Sequence, residues 1–159
     1  MIKKYVLGFA FKLETREVVL IEKMLEDSKR YLNGIGGKIE ANECARHAMQ
    51  REFKEEVGIY IGSDRWNYFG SMGSDTTTAP WACELFTTEL EDFEMSDAWK
   101  KSHADEYIDT SSSEPRIQVV SPLDGVISEK YAMRGVSWLI PMAYEALVIC
   151  PTLKVDIKY

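Results

Sequence analysis

The sequence predicts an α/β domain built on a mixed β-sheet. Segments rich in Val, Ile, Leu and Phe come first in the chain, and they then alternate with two helical patterns. With 159 residues, of which 45% are hydrophobic and 11% aromatic, the chain is long enough and apolar enough to bury one core. No internal repeat or Pro-rich linker divides it. We therefore expect a single domain over residues 1–159.

The elements are predicted in order from composition and turn residues. The expected strands are residues 2–11, 18–24, 66–70, 81–88 and 116–121. A polar loop is expected at 27–30, before the glycine-dense stretch at 33–38. Asn42 is a favourable N-cap for a helix that ends at Val57 with Gly58 as its stop. The last helix is expected at 137–149, where Pro141 is tolerable only in the first turn.

The segment between residues 89 and 114 is acidic and too long for an ordinary connection. We expect a short helix at 96–106 and interpret the segment as an insertion or a lid. Trp99 and His103 are one helical turn apart there, which fits either closure over a substrate or an amphipathic surface helix.

Charge and cysteine content argue against several function classes. The 26 Asp and Glu residues against 19 Lys and Arg give a net charge of −7, which disfavours nucleic-acid binding through bulk charge. Cys44, Cys83 and Cys150 form no paired motif, so we expect a reducing, cytoplasmic location. Lys12 and Glu14 interrupt the apolar N-terminal run, and no stretch is long enough for a membrane span.

The helix expected at 42–57 carries carboxylates on its apolar side. On a helical wheel the predicted core side is formed by Cys44, Ala45, Ala48, Met49 and Phe53. Glu52, Glu55 and Glu56 fall on the same side, whereas His47 lies opposite. Three like charges at i, i+3 and i+4 repel each other, and burying them needs a compensating positive charge.

Two kinds of compensation are open, namely cationic side chains and a divalent metal ion. Arg51 can pair with Glu55, but one arginine does not neutralise three acids, so Mg²⁺, with Mn²⁺ as an alternative, is favoured. The backbone of Gly37 and the side chain of Lys38, just before the helix, suit phosphate oxygens. Together these residues predict a site for a phosphorylated substrate.

The spacing of this region resembles that of a known family. The pattern Gly37-x₅-Glu43-x₇-Arg51-Glu52-Phe53-x-Glu55-Glu56-x-Gly58-Ile59 fills every fixed position of the Nudix box, which here covers residues 37–59. The resemblance implies the Nudix fold, an α/β/α sandwich with a central mixed sheet, and hydrolysis of a nucleoside diphosphate linked to another group.

The same resemblance implies roles for single residues. Glu52, Glu55 and Glu56 would bind the metal together with the Gly36 carbonyl. Glu52 is favoured as the base over a glutamate outside the box. Arg51 would hold the glutamates. Glu43, which would tie the loop to the helix, and Gly58 would be structural.

Three residues outside the box also resemble the MutT-like and 8-oxo-dGTPase-like branch. Glu114 would add a carboxylate to the metal site, or else is an ordinary loop acid. Lys23 and Asn33 would contact the substrate, or else are a solvated strand end and a turn residue. The stretch 133–138 has no aspartate where the 8-oxo-dGTPases carry two, which argues against oxidised guanine.

A nucleoside triphosphate is the favoured substrate. The alternatives are ADP-ribose, a dinucleoside polyphosphate, an RNA 5′ end, or a non-catalytic nucleotide sensor on the same scaffold. The expected partner is a small nucleotide, without a membrane or nucleic acid, and a homodimer is left open.

Overall fold

The computed structural model describes residues 2–27, 29–74, 79–104, 114–120, 132–133, 135–150 and 152–158. The strands are β1 (Lys3–Lys12), β2 (Glu17–Met24), β3 (Arg30–Asn33), β4 (Asn67–Ser74), β5 (Trp81–Glu89), β6 (Arg116–Val120) and β7 (Val155–Lys158). The helices are α1 (Ala45–Val57), α2 (Asp92–Ala104) and α3 (Val136–Val148), with a 3-10 turn at Ser63–Arg65. Within these ranges, no helix is long and apolar enough to cross a membrane.

All seven strands form one mixed sheet with helices on both faces. The strand order is β3-β2-β1-β5-β4-β7, with β6 paired to β2, and the β1–β5 and β4–β7 pairs are parallel. Side chains of β1 alternate between two cores. Val6 packs in the core that holds Met49 of α1 and Ala98 of α2, whereas Leu7 packs in the core that holds Leu139 of α3. The predicted α/β fold with a mixed sheet between helical layers is confirmed.

The glycine-rich segment fits into the sheet where β1 and β2 separate. Residues 17–19 of β2 pair with β1, whereas residues 21–24 pair with β3. Since β6 pairs with residues 18–22, both β1 and β3 lie on the opposite edge of β2 from β6. The chain leaving β3 then pairs with β1, through the Gly8–Ile35 and Tyr5–Lys38 bridges. The segment is therefore continuous with β3 at its start and hydrogen-bonded to β1 along its length.

The start of α1 was predicted two residues too early. Asn42 has a φ of 65°, in the left-handed region, so it occupies a turn, and Cys44 is the N-cap. Cys44 is also exposed instead of buried, because it precedes the helix and does not share the wheel positions of the helical residues. Gly58, with a φ of 74°, ends the helix as predicted.

Other boundaries also differ from the prediction. The short strands β3 and β7 were not predicted, because each has only four residues and neither contains a continuous apolar run like those of the core strands. The helix of the acidic segment begins at Asp92 instead of Ser96, and residues 105–113 and 121 lie outside the described ranges. Pro141 is the sixth residue of α3, so it lies beyond the first turn.

Candidate active site

Helix α1 presents two half-buried glutamates and one exposed glutamate. The exposed fractions of the side chains are 13% for Glu52, 17% for Glu56 and 59% for Glu55. The prediction that all three share the buried side is therefore wrong for Glu55. At about 100° per residue, Glu55 is rotated about 60° from Glu52, away from the stripe that buries Met49 and Phe53. The repulsion between carboxylates is thus relieved in part by solvent.

Two glycines bring the loop against this helix. A Cβ atom on Gly37 would lie 2.5 Å from the carboxyl carbon of Glu52 and 2.5 Å from each of its oxygens. A Cβ atom on Gly36 would overlap the carbonyl of Val6 on β1. Both positions therefore need glycine for close approach, because the space of a side chain is already filled by the site and the sheet.

Arg51 links the loop to three carboxylates. Its Nε and Nη2 donate to the two oxygens of Glu43, at 2.9 and 3.0 Å. Its Nη1 donates to Glu52 at 2.8 Å and to Glu55 at 3.1 Å, and Nη2 also donates to the Lys38 carbonyl at 3.0 Å. Glu43 in turn accepts from the backbone N–H of Glu40 at 3.0 Å. Because of the bond from Arg51, the pKa of the Glu43 carboxyl is lowered.

Glu56 is held from the other side by β2 and the loop. Lys23 Nζ donates to Glu56 Oε1 at 2.7 Å, and the Gly36 N–H donates to Glu56 Oε2 at 3.1 Å. The structure thus places Lys23 beside a glutamate of the box and not at a solvated strand end. Asn33 Oδ1 accepts a hydrogen bond from the Gly34 N–H at 2.9 Å.

Burial raises the pKa of Glu52. Desolvation is the largest cause, the negative charges of Glu56 and Glu55 add to it, and Arg51 opposes both. A carboxylate whose ionised form is disfavoured in this way is a better proton acceptor and gains more from a nearby cation.

A cavity of about 220 Å³ opens on the sheet beside the two glycines. Its walls are mostly apolar, with Asn33 as a polar side chain. The residues lining it are Tyr5, Val6, Leu7, Asn33, Gly36, Gly37, Met72, Trp81, Cys83, Met133, Val136 and Leu139. Apart from Asn33 and the two glycines, this lining was not predicted. The signal available was the alternation that puts residues 5 and 7 of β1, and 81 and 83 of β5, on one face.

The glutamates of α1 are of a type that binds a divalent cation, although in this structure they are paired with Arg51 and Lys23. Carboxylates and backbone carbonyls are ligands that Mg²⁺ and Mn²⁺ prefer. Because Gly37 has no side chain, the Glu52 carboxylate lies directly against the backbone of the loop. In the described part of the chain, no three His, Cys, Asp or Glu side chains are grouped closely enough to hold a metal as they stand. Binding would thus require the glutamates to reorient.

The remaining predicted residues lie outside this cluster of contacts. Glu114 is exposed just before β6, and its carbonyl accepts from Arg30 at 3.4 Å. His47 is exposed on α1. Trp99 stacks on His103 with 4.1 Å between the ring centroids, and its Nε1 donates to Glu17 at 2.9 Å. This pair therefore lies at the start of β2, at the opposite end of that strand from Lys23.

Comparison with known proteins identifies the family. The model of the NUDIX domain matches residues 4–109, about two thirds of the chain. The chain belongs to the Nudix family. This match confirms the predicted family. A Nudix domain indicates a hydrolase that acts on phosphoric anhydride bonds. Such enzymes generally use a divalent metal ion, typically Mg²⁺. No curated protein matches the chain.

Two solved structures are similar to this chain at low sequence identity. A mutator MutT protein from Bacillus halodurans is 16% identical, with a TM-score of 0.60, and the match covers 88% of this chain and 80% of that one. A MutT/nudix family protein from Enterococcus faecalis is 17% identical, with a TM-score of 0.49 and 58% of this chain covered. This chain spans 38% of the length of the Enterococcus protein. The similarity to the Bacillus structure shows a shared fold and nothing further.

Proposed function

We propose that this chain is a Mg²⁺-dependent Nudix hydrolase that cleaves a nucleoside triphosphate to the monophosphate and pyrophosphate. The observation that carries the proposal is that Glu52 and Glu56 each contact one of the two glycines that line the cavity. Phosphates bound at the loop and α1 would therefore continue into a cavity that receives the rest of the substrate.

The metal ion would be held by Glu52, Glu55, Glu56 and the Gly36 carbonyl, with Mn²⁺ as an alternative to Mg²⁺. When bound, it lowers the pKa of a coordinated water and offsets negative charge on the phosphate oxygens. Glu52 takes the proton from the attacking water, since its carboxylate lies against the Gly37 loop where the phosphates would bind. Arg51 keeps Glu52 in place through the bond of 2.8 Å, and Glu43 fixes Arg51.

The cavity favours a nucleoside triphosphate over a larger substrate. Its volume of about 220 Å³ is below the ~300–1,000 Å³ of sites for drug-sized ligands, so it suits one ring system. The oxygen of the Asn33 amide is engaged by the Gly34 N–H, which leaves the NH₂ group to donate to an acceptor atom of a base. Lys23 and Lys38 supply positive charge for the phosphates. Glu114 as an added ligand, a homodimer and a cytoplasmic location stay predictions.

The test is hydrolysis by wild type and Glu56→Gln of a panel of nucleoside triphosphates, ADP-ribose, a dinucleoside polyphosphate and triphosphorylated RNA. Products formed in Mg²⁺ and in Mn²⁺ are separated by ion-exchange chromatography. We expect monophosphate and pyrophosphate from wild type, and a loss of at least about 100-fold in kcat/KM for the variant, about 2.7 kcal/mol. Glu145→Gln, on the exposed side of α3, is the matched control.

Two results would contradict the proposal. Full activity of Glu56→Gln would show that Glu56 is not part of the active site. Faster cleavage of another substrate in the panel would show that a nucleoside triphosphate is not the preferred substrate. Nucleotide binding by wild type without any product would instead support a non-catalytic sensor.

A further inference from the structure

Two cationic side chains pair with the three glutamates of α1. Arg51 pairs with Glu52 and Glu55, at 2.8 and 3.1 Å, whereas Lys23 pairs with Glu56 at 2.7 Å. The Lys23 and Glu56 side chains are 32% and 17% exposed, so the contact is partly shielded from water. An ion pair in such a place is stronger than one on an open surface.

The register of β2 determines where this lysine lies. Val19 and Ile21 pack in the core beneath α1, and the alternation of the strand puts Lys23 on the same face. The ammonium group of Lys23 therefore contacts α1 from the side of the helix that faces the sheet, and not from the side that faces solvent. Lys23 comes from outside the box, 33 residues before Glu56 in the chain.

Both oxygens of Glu56 are engaged by protein donors. Oε1 accepts from Lys23, and Oε2 accepts from the Gly36 N–H at 3.1 Å. A divalent cation that binds Glu56 would lie within a few ångströms of the ammonium, and the two positive charges would repel each other. The backbone N–H carries no net charge, whereas the lysine side chain can swing away because its stem is flexible.

We propose that Lys23 and the divalent metal ion compete for Glu56, so that Lys23 sets the metal affinity of the site. This inference rests on the metal-dependent function proposed above. Lys23 is here a positioning residue. It compensates Glu56 and holds it against the loop until the metal binds, and its ammonium is then released towards the phosphates of the substrate.

The first test is the Mn²⁺ affinity of the full chain without substrate. The protein is treated with EDTA and dialysed, and Mn²⁺ is then added while the electron paramagnetic resonance signal of the free ion is recorded. We expect Lys23→Met to bind Mn²⁺ more tightly than wild type, on the order of tenfold, because a like charge has been removed. Lys100→Met, which removes the same charge from the surface of α2, is the control and should leave the affinity unchanged. Equal or weaker binding by Lys23→Met would overturn the proposal.

A second measurement uses the wild-type chain and so does not depend on whether the variant folds. Acetylation of Lys23 by acetic anhydride, followed by mass spectrometry, should be several-fold faster in saturating Mg²⁺ than in EDTA. Lys100 should show no such difference. A Lys23 rate that Mg²⁺ leaves unchanged would contradict release of the ammonium.

The two proposals fail separately. A chain that binds Mn²⁺ with the expected lysine effect but hydrolyses no nucleotide would refute the proposed function alone. A chain that hydrolyses nucleotides while Lys23→Met leaves metal affinity unchanged would refute the competition alone. A wild-type chain without affinity for Mn²⁺ would refute both.

Discussion

Replacing Gly37 with alanine should damage the site while sparing the fold. The new Cβ would lie 2.5 Å from the carboxyl carbon and both oxygens of Glu52, whereas ordinary contact begins at 3.4 Å. The carboxylate would therefore have to retreat by about 0.9 Å. Gly37 does not have a positive φ, so alanine introduces no backbone strain.

The two consequences differ in size. A displacement of about 1 Å in a catalytic group costs about 100-fold in rate, which is about 2.7 kcal/mol in activation free energy. The clash involves the end of a flexible side chain, so the free energy of unfolding should fall by less than about 1 kcal/mol, below the usual cost of overpacking. Activity should thus be lost while the fold is kept.

The assay compares kcat/KM for nucleoside triphosphate hydrolysis in Mg²⁺ with urea unfolding of the same samples. Gly62→Ala is the matched control, since its Cβ would meet Asp64 Oδ1 at 2.6 Å, a similar clash with a carboxylate remote from the site. It should retain wild-type activity. The reasoning is refuted if Gly37→Ala keeps wild-type kcat/KM, or if it unfolds while Gly62→Ala does not.

Two further predictions concern stability. The bonds from Arg51 lower the pKa of Glu43 below its usual 4.5, so ionised Glu43 stabilises the folded state fully above that pH and loses this effect as pH falls through the lowered pKa. Glu43→Gln should cost about 1.5–3 kcal/mol at pH 7 and progressively less below about pH 4 by urea unfolding, and a pH-independent cost would contradict this. Arg65→Met should cost about 3–5 kcal/mol, because Glu94, only 2% exposed and 2.5 Å from Arg65 Nη1, would lose its partner. The double variant with Glu94→Gln should recover part of that loss in thermal unfolding, and no recovery would argue against an uncompensated buried charge.

The sequence predicts the sheet layers and helix α1 because each depends on local composition and periodicity. The strands β1 and β5 follow from their runs of apolar residues, and the stop of α1 follows from Gly58, which has a positive φ. The start of α1 does not follow, since Asn42 is favourable both as an N-cap and in a left-handed turn. Neighbouring backbone decides between those two roles.

The spacing of the glutamates predicts a cluster but not its counter-ions. The i, i+3, i+4 pattern brings Glu52, Glu55 and Glu56 together, and a rotation of about 100° per residue already sets the exposed Glu55 apart from the other two. The contacts of Lys23 with Glu56, and of Gly37 with Glu52, join residues that are far apart in the chain. Local pattern carries no information on such contacts, because they depend on how β2 and the loop meet α1.

The hydrogen bonding of the loop to β1 has a consequence for its dynamics. Val6 N–H donates to the Gly37 carbonyl at 2.9 Å, and Gly8 and Ile35 exchange backbone bonds at 2.8 and 3.0 Å. The amide proton of Ile35, which is donated to the Gly8 carbonyl, should therefore exchange with solvent as slowly as those of a central strand, unlike the amide protons of a surface loop. Phosphate binding then costs little conformational entropy, since the backbone that receives it is already ordered. For the same reason, inserting a single residue at 35–38 would shift the pairing with β1 and turn the glycines away from α1.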